Sequence, residues 1–405
     1  MRLYVRRVAL AIAVILGAAA DTATAQTNCQ NTGSFDKWMQ AFRAEAAKAG
    51  IKPQVIASAL DGVTFDPGII ARDRRQGFFS QSFLDFSDKL ATRNRYDNAR
   101  RQIEKHKAIF ARAEKDYGVP PAVIAALWAL ESDFGSGMGN LPVLRSLVTL
   151  AYDCRRGEYF RGNLLDALRI IEKGDLTPPQ MVGSWAGELG QTQFLPTYYH
   201  KYAIDYDGDG RRDLYRSIPD IIGSSANFVK ELGWKRGEPW LEEVRVAPTV
   251  PWERAGLDSK LPRSQWAKFG VSLADGRPLP ADDKPASLLL LMGRNGPAFL
   301  AYENFDVYIK WNQSLNYATT AAYLGTRVAG GPVMGRGAQP VTPLTAEQMK
   351  ELQQLLARRG YEVGEPDGRL GLATRAAVKK AQLKFGLPAD SYPSYEVLER
   401  LRASR

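Results

Sequence analysis

The chain has 405 residues, 45% of them hydrophobic, and a formal net charge of +10, which allows two or three folded units with buried cores. Its two histidines, His106 and His200, are too few for the ligand sets of zinc hydrolases, and Cys154 has no histidine nearby in sequence to activate it as a nucleophile. The basic balance admits either nucleic acid or an anionic envelope polymer as partner.

The first segment favours the second of these. Arg2, Arg6 and Arg7 precede an apolar stretch over residues 8–20, and Ala23-Thr24-Ala25 lead up to a cleavage point after Ala25. That is the layout of a secretory signal peptide, residues 1–25, whose apolar run is too short to span a bilayer comfortably. Its removal takes away three Arg and one Asp and leaves +8. A soluble exported protein is expected, without stable membrane insertion and without nucleic acid as a partner. Cys29 and Cys154 would then sit in an oxidising compartment, where a disulfide between them and two free thiols both remain open.

Residues 34–115 read as helical, with Phe35, Trp38, Met39 and Phe42 at near-helical spacing. A core follows over about 116–235. Within it, PPAVIAALWALESDFGSGMG predicts a helix: Pro120 and Pro121 suit a first turn, Ile124, Leu127 and Trp128 form an apolar stripe, and Gly135 is a stop signal. Glu131 falls on that stripe. Desolvation and the negative end of the helix dipole both disfavour its carboxylate, which suits a general acid near neutral pH. A glutamate reaching solvent past the helix end, or paired with an arginine, is the alternative.

Further on, AIDYDGDGRRDL sets Asp205, Asp207, Asp209 and Asp213 at the first, third, fifth and ninth positions of a calcium-loop pattern, with Gly210 at the sixth. Arg216, not Glu, stands at the twelfth, and Asp220 is placed to close a longer loop. A solvated acidic turn is the other reading. Residues 237–300 form a small β-containing insertion, with EEVRVAP and ASLLLLMG as strands, after which 305–327 return to the core. The Gly/Pro-rich stretch 328–343 reads as a linker. Residues 344–403 give three short helices striped by Leu352, Leu355 and Leu356, by Ala377, Val378, Ala381 and Phe385, and by Val397, Leu398 and Leu401, with Thr374 as the cap of the second.

The text ALWALESDFGSGMG, LAYDCRRGEYF and GSWAGELGQTQFLPTYYHKYAIDYDGDG resembles the B-type lytic murein transglycosylases over roughly residues 35–323. The C-terminal pattern GYEVGEPDGRLGLAT resembles the small peptidoglycan-binding domain of wall enzymes, although Ala381 stands where Phe is usual and Asp390-Ser391 replaces Asp-Gly. The resemblance implies a mainly α (α+β) fold: a lysozyme-like helical core over 30–327, an N-terminal helical region, the β insertion and a three-helix wall-binding domain. It implies a monomeric periplasmic enzyme that cuts peptidoglycan and requires no cofactor, with calcium structural if present.

In that family a single Glu is both acid and base, and the matching residue is Glu131. One carboxyl suffices because the sugar's own C6 hydroxyl attacks C1 and closes a 1,6-anhydro ring, whereas most glycosidases need two. Ser184 and Gln193 match the family residues expected to hydrogen-bond the N-acetyl group and sugar. Gly187 and Gly190 would let a sugar approach the backbone beside Gln193. Aromatic side chains should line the subsites, and Phe194, Tyr198, Phe228 and Trp311, with neighbouring Asn312, are the candidates. Phe228 and Trp311 stand where relatives often carry Tyr. Arg155 and Arg156 match arginines thought to meet stem-peptide carboxylates. Asp133 and Glu188 keep a lysozyme-type hydrolase alive as a rival, and a non-catalytic wall-binding scaffold is the alternative of another class.

Overall fold

The computed structural model describes residue 31 and residues 33–75 and 81–404; the expected signal peptide and Cys29 lie outside these residues. Ser34 opens the first helix, Phe35–Lys48, by accepting the Lys37 N–H, and the expected aromatic stripe forms. Trp38 stacks on Phe42 at 5.5 Å, and Phe35 meets Tyr152 edge-on at 5.5 Å. The chain divides into two compact units, one of described residues up to Arg75 with Arg101–Glu231, the other of residues 81–100 with 232–404.

The first unit is helical. It contains Phe35–Lys48, Pro53–Leu60, Pro67–Arg75, Lys107–Tyr117, Pro121–Ser132, Val143–Tyr152, Gly157–Lys173, Pro196–Tyr202 and Ile218–Glu231. Its central helix is Pro121–Ser132, with Pro121 at the first helical position as expected and Pro120 just before it as the cap. The expected apolar stripe is replaced by something stronger: every residue from Ala122 to Ser132 is buried. Small residues at 122, 125, 126 and 129 explain this, since alanine lets neighbours close in on every side. The helix also stops earlier than Gly135, because Asp133 and Phe134 adopt left-handed backbone at φ 51° and 57°. For phenylalanine that conformation is costly, and the surrounding structure must hold it. A two-stranded antiparallel ribbon, pairing Leu141 with Gly183 and Pro142 with Val182, joins the segment after this helix to a second motif, GSWAGELGQTQF at residues 183–194.

The second unit centres on a five-stranded antiparallel sheet. Its spatial order is Leu261–Pro262, Pro285–Leu290, Ala298–Ala301, Leu241–Val246 and Val271–Leu273. The two strands read from sequence are both present; Ala298–Ala301, which pairs between them, was not read as a strand. Trp266, Leu288, Leu300 and Tyr302 are among the residues that fill its core. Helices Phe305–Trp311 and Leu315–Val328 follow. The glycine-rich stretch 328–343 is bonded down along its length: Met334 N–H reaches the Tyr323 hydroxyl, Gly335 N–H the Glu243 carboxylate, and Ala338 N–H the Asn295 carbonyl.

The C-terminal helices are Ala346–Arg358, Leu372–Lys384 and Tyr395–Ala403. The leucine, alanine and valine stripes form one core with Leu352, Leu356, Val378 and Leu398 at its centre. Thr374 does not cap the second helix. Gly371 occupies that position, and the Thr374 hydroxyl is buried, accepting from the Gln353 amide at 3.1 Å.

Candidate active site

Glu131 occupies the last full turn of the central helix and is 6% exposed. One side-chain oxygen, Oε2, is sealed from solvent. The left-handed turn that follows turns the chain sharply away, and the acid sits where the helix dipole is negative. Both rival carboxyls are now placed. Asp133 caps the helix in left-handed backbone and is partly exposed, while Glu188 is buried within the second motif.

The second motif folds into a pair of tight turns. Leu189 and Phe194 exchange backbone hydrogen bonds at 2.8 and 3.2 Å, and Ser184 N–H reaches the Glu188 carbonyl. The glycines are required by this internal packing. A Cβ on Gly187, at φ 88°, would fall 2.4 Å from Leu147, and one on Gly190, at φ 68°, would fall 2.6 Å from the Leu214 carbonyl. The Ser184 hydroxyl accepts the N–H groups of Ala186 and Glu188, each at 3.2 Å. Gln193 is held at φ 50°, and its Nε2 donates to the carbonyls of Gly190 at 2.8 Å and Met138 at 3.3 Å. What its amide can turn to a ligand is therefore the oxygen, an acceptor.

Of the candidate sugar-facing aromatics in this unit, Phe194 and Phe228 are each 2% exposed and meet edge to face at 5.1 Å. Neither offers a ring face to water, and both act as core. Tyr198 is half-buried against Phe228 at 4.9 Å. Burial raises its hydroxyl pKa, so it stays protonated near neutral pH. Tyr202, which sequence reading passed over, stacks on Phe228 at 4.7 Å.

Arg155 and Arg156 share one partner: the buried carboxylate of Asp73, each guanidinium taking one of its oxygens. Arg156 also covers the Phe160 ring at 4.8 Å. No sequence signal marks Asp73, which lies 82 residues before Arg155. The pair is thus anchored from beneath, with the Arg155 side chain still partly exposed.

In the second unit, Trp311 ends the helix Phe305–Trp311 and is 4% exposed. Asn312 follows it, buried, with its Oδ1 accepting the Ser314 N–H at 2.9 Å. A cavity of about 970 Å³ in this unit is lined by Glu243, Arg245, Phe299 and Tyr323 among others, and by none of the acid, sugar-binding or calcium candidates.

Three of the four calcium candidates come together: Asp205, Asp207 and Asp209 bring carboxylate oxygens within 4.8 Å of one another. Asp213 does not join them. Its carboxylate accepts the N–H groups of Tyr215 and Arg216 and pairs with Arg211 at 2.8 Å. Asp220 is fully buried and accepts from Tyr206 and Asp213 N–H, so it pins the loop from below, and burial raises its pKa. The three hard oxygen donors suit calcium in kind. The Asp205 carboxylate already accepts three backbone N–H groups and Ser217 bonds Asp207, so the loop is held in shape by its own bonds.

Residues 34–326 match the family described as "Transglycosylase SLT domain". The chain belongs to this family. Residues 345–401 match a second family, "Putative peptidoglycan binding domain". Membrane-bound lytic murein transglycosylase B of Escherichia coli (strain K12) is 32% identical over 254 residues, which are 61% of this chain and 68% of that protein. The crystal structure of SltB3 from Pseudomonas aeruginosa in complex with NAG-anhNAM-pentapeptide is 40% identical with a TM-score of 0.85, covering 91% of this chain and all of that one. The Escherichia coli lytic transglycosylase Slt35 in complex with calcium is 28% identical with a TM-score of 0.61, over 75% of this chain and 94% of that one. The protein is a lytic transglycosylase, mainly helical, with a wall-binding helical module at its C-terminus. No helix among the described residues is long and apolar enough to cross a membrane.

Proposed function

We propose that Glu131 is the single acid and base with which this lytic transglycosylase cleaves the β-1,4 bond between N-acetylmuramic acid and N-acetylglucosamine in peptidoglycan. The observation that carries the reading is the withdrawal of this one carboxyl from water at the end of a helix buried on all sides. Desolvation favours its protonated form, the form a general acid needs. The proton passes to the bridging oxygen as the C1–O bond breaks. The muramoyl C6 hydroxyl oxygen then bonds to C1, and its proton returns to the Glu131 carboxylate. Water is neither consumed nor released, and the enzyme ends in its starting state.

Gln193, with both its N–H bonds directed at backbone carbonyls, offers the N-acetyl N–H an acceptor, and Ser184 a hydroxyl donor. Tyr198 and the partly exposed Arg155 and Arg156 are the side chains on this unit suited to a sugar face and to stem-peptide carboxylates. Trp311 and Asn312, in the second unit, are buried, which argues against open stacking of a sugar on Trp311. Asp205, Asp207 and Asp209 would hold calcium, which when bound would neutralise their mutual repulsion and stiffen the loop. The substrate implies work in the periplasm after signal-peptide removal, as a monomer. That compartment would oxidise the pair Cys29 and Cys154.

Glu131→Gln keeps size and hydrogen bonding while removing the proton. Incubated with purified sacculi, it should release anhydro-muropeptides at least about 10³-fold more slowly than the parent, with an unchanged melting temperature. Equal release by the two proteins would refute the assignment.

A further inference from the structure

We propose that Gln191 is a positioning residue for this reaction, locking the helix end that carries Glu131 to the turn that carries Gln193 through Trp128 and Ser132; the proposal rests on Glu131 being the acid. Trp128 and Ser132 lie four residues apart on one face of the central helix and bracket Glu131. The Trp128 indole N–H donates to Gln191 Oε1 at 2.9 Å, and the Ser132 hydroxyl donates to the Gln191 carbonyl at 2.6 Å. The same hydroxyl accepts the Gly135 N–H at 3.0 Å, which fixes the left-handed exit of the helix. From the other side, Gln191 N–H donates to the Leu214 carbonyl and Gln191 Nε2 to the Tyr215 carbonyl, both at 2.8 Å.

All four polar groups of Gln191 are thus engaged, two toward the acid's helix and two toward residues 214 and 215. Trp128, Ser132 and Gln191 are buried, so these bonds do not compete with water. Gly135 leaves the amide its place, since a Cβ there would fall 2.7 Å from Gln191 Cδ. Two residues on, Gln193 takes its unusual backbone angle. The distance between the proton donor and the acceptor for the N-acetyl group is therefore set through one residue, by two backbone and two side-chain bonds of Gln191. Misplacement of about 1 Å can cost on the order of a hundredfold in rate.

Near neutral pH an amide satisfies both ends where a carboxylate does not: Oε1 must accept from the indole while the other atom donates to a carbonyl. This gives the test its signature. In Gln191→Glu the ionised side chain faces the Tyr215 carbonyl without a proton to give, whereas the protonated acid restores the donor. The full chain and the variants W128F, Q191E, Q191L and E131Q are assayed on a soluble glycan fragment for kcat and KM across pH, with melting temperatures alongside. The expected result is a kcat about tenfold lower in W128F with KM within about twofold. Q191E should fall similarly near neutral pH and recover relative to the parent as pH drops toward about 5, with no recovery in Q191L. Parental kcat in both W128F and Q191E would overturn the proposal. So would losses that follow melting temperature alone, with Q191E and Q191L sharing one pH profile. E131Q in the same assay reports separately on the acid: if it keeps parental activity, the assignment of Glu131 fails whatever the other variants do.

Discussion

Burial, and not identity alone, gives single residues of this chain their chemistry. Glu131 is withdrawn from water, a setting that disfavours a carboxylate, whereas the guanidinium groups of Arg155 and Arg156 are both met by the buried Asp73 carboxylate. The two histidines show the same physics in a base. Burial lowers the pKa of His200 and of His106, with the Lys105 charge adding to the effect at His106. His200 Nδ1 is moreover buried without a hydrogen-bond partner among the described residues. A base whose folded pKa is depressed is neutral in the fold when the unfolded chain has already taken up a proton. Its contribution to stability is thus complete above the unfolded value of about 6.5 and is lost as pH falls below it. His200→Gln should therefore flatten the acid side of the stability profile, losing less melting temperature than the parent between about pH 7.5 and pH 5.5. Equal losses would show that His200 stays solvated in the fold.

At the scale of elements, local chemistry was readable wherever a helix depends on its own residues. The aromatic stripe of Phe35–Lys48, the proline start of the central helix and the leucine stripe of Ala346–Arg358 all follow from spacing. The last of these opens on a capping box, in which the Thr345 hydroxyl accepts the Gln348 N–H and the Gln348 amide accepts the Thr345 N–H. Thr345→Ala should cost about 1 kcal/mol, read as a lower denaturant midpoint at unchanged slope. An unchanged midpoint would mean that packing alone sets this helix start. What spacing could not give is whatever depends on partners distant in sequence. The central helix carries no single stripe because neighbours surround it. Thr374 looked like a cap and instead meets Gln353, and Asp73 serves arginines more than 80 residues away. Gly187 and Gly190 have an internal cause, the closeness of Leu147 and Leu214, that no pattern announces.

For the molecule as a whole, the C-terminal module is bonded to the sheet of its own unit. Arg375 is buried, donating to the carbonyls of Leu290 and Leu291, and burial pulls its guanidinium down to about 10. Lys379 reaches the Ala255 carbonyl at 2.8 Å, and Asp390 accepts the Arg294 N–H at 3.0 Å. Arg336 in the preceding stretch grips Asp88 with two bonds of 2.8 and 3.0 Å. Deleting residues 344–405 should therefore do two things: abolish co-sedimentation with sacculi and lower the melting temperature of the remainder by on the order of 5 °C. A remainder as stable as the full chain would show that these bonds contribute nothing. The reaction itself can be read from the fate of water. When sacculi are digested in ¹⁸O-labelled water and the products weighed, intramolecular capture by the C6 hydroxyl predicts unlabelled muropeptides with anhydro ends, each one water lighter than a reducing end. Labelled reducing ends as the main product would contradict it, because a second group would then be activating water.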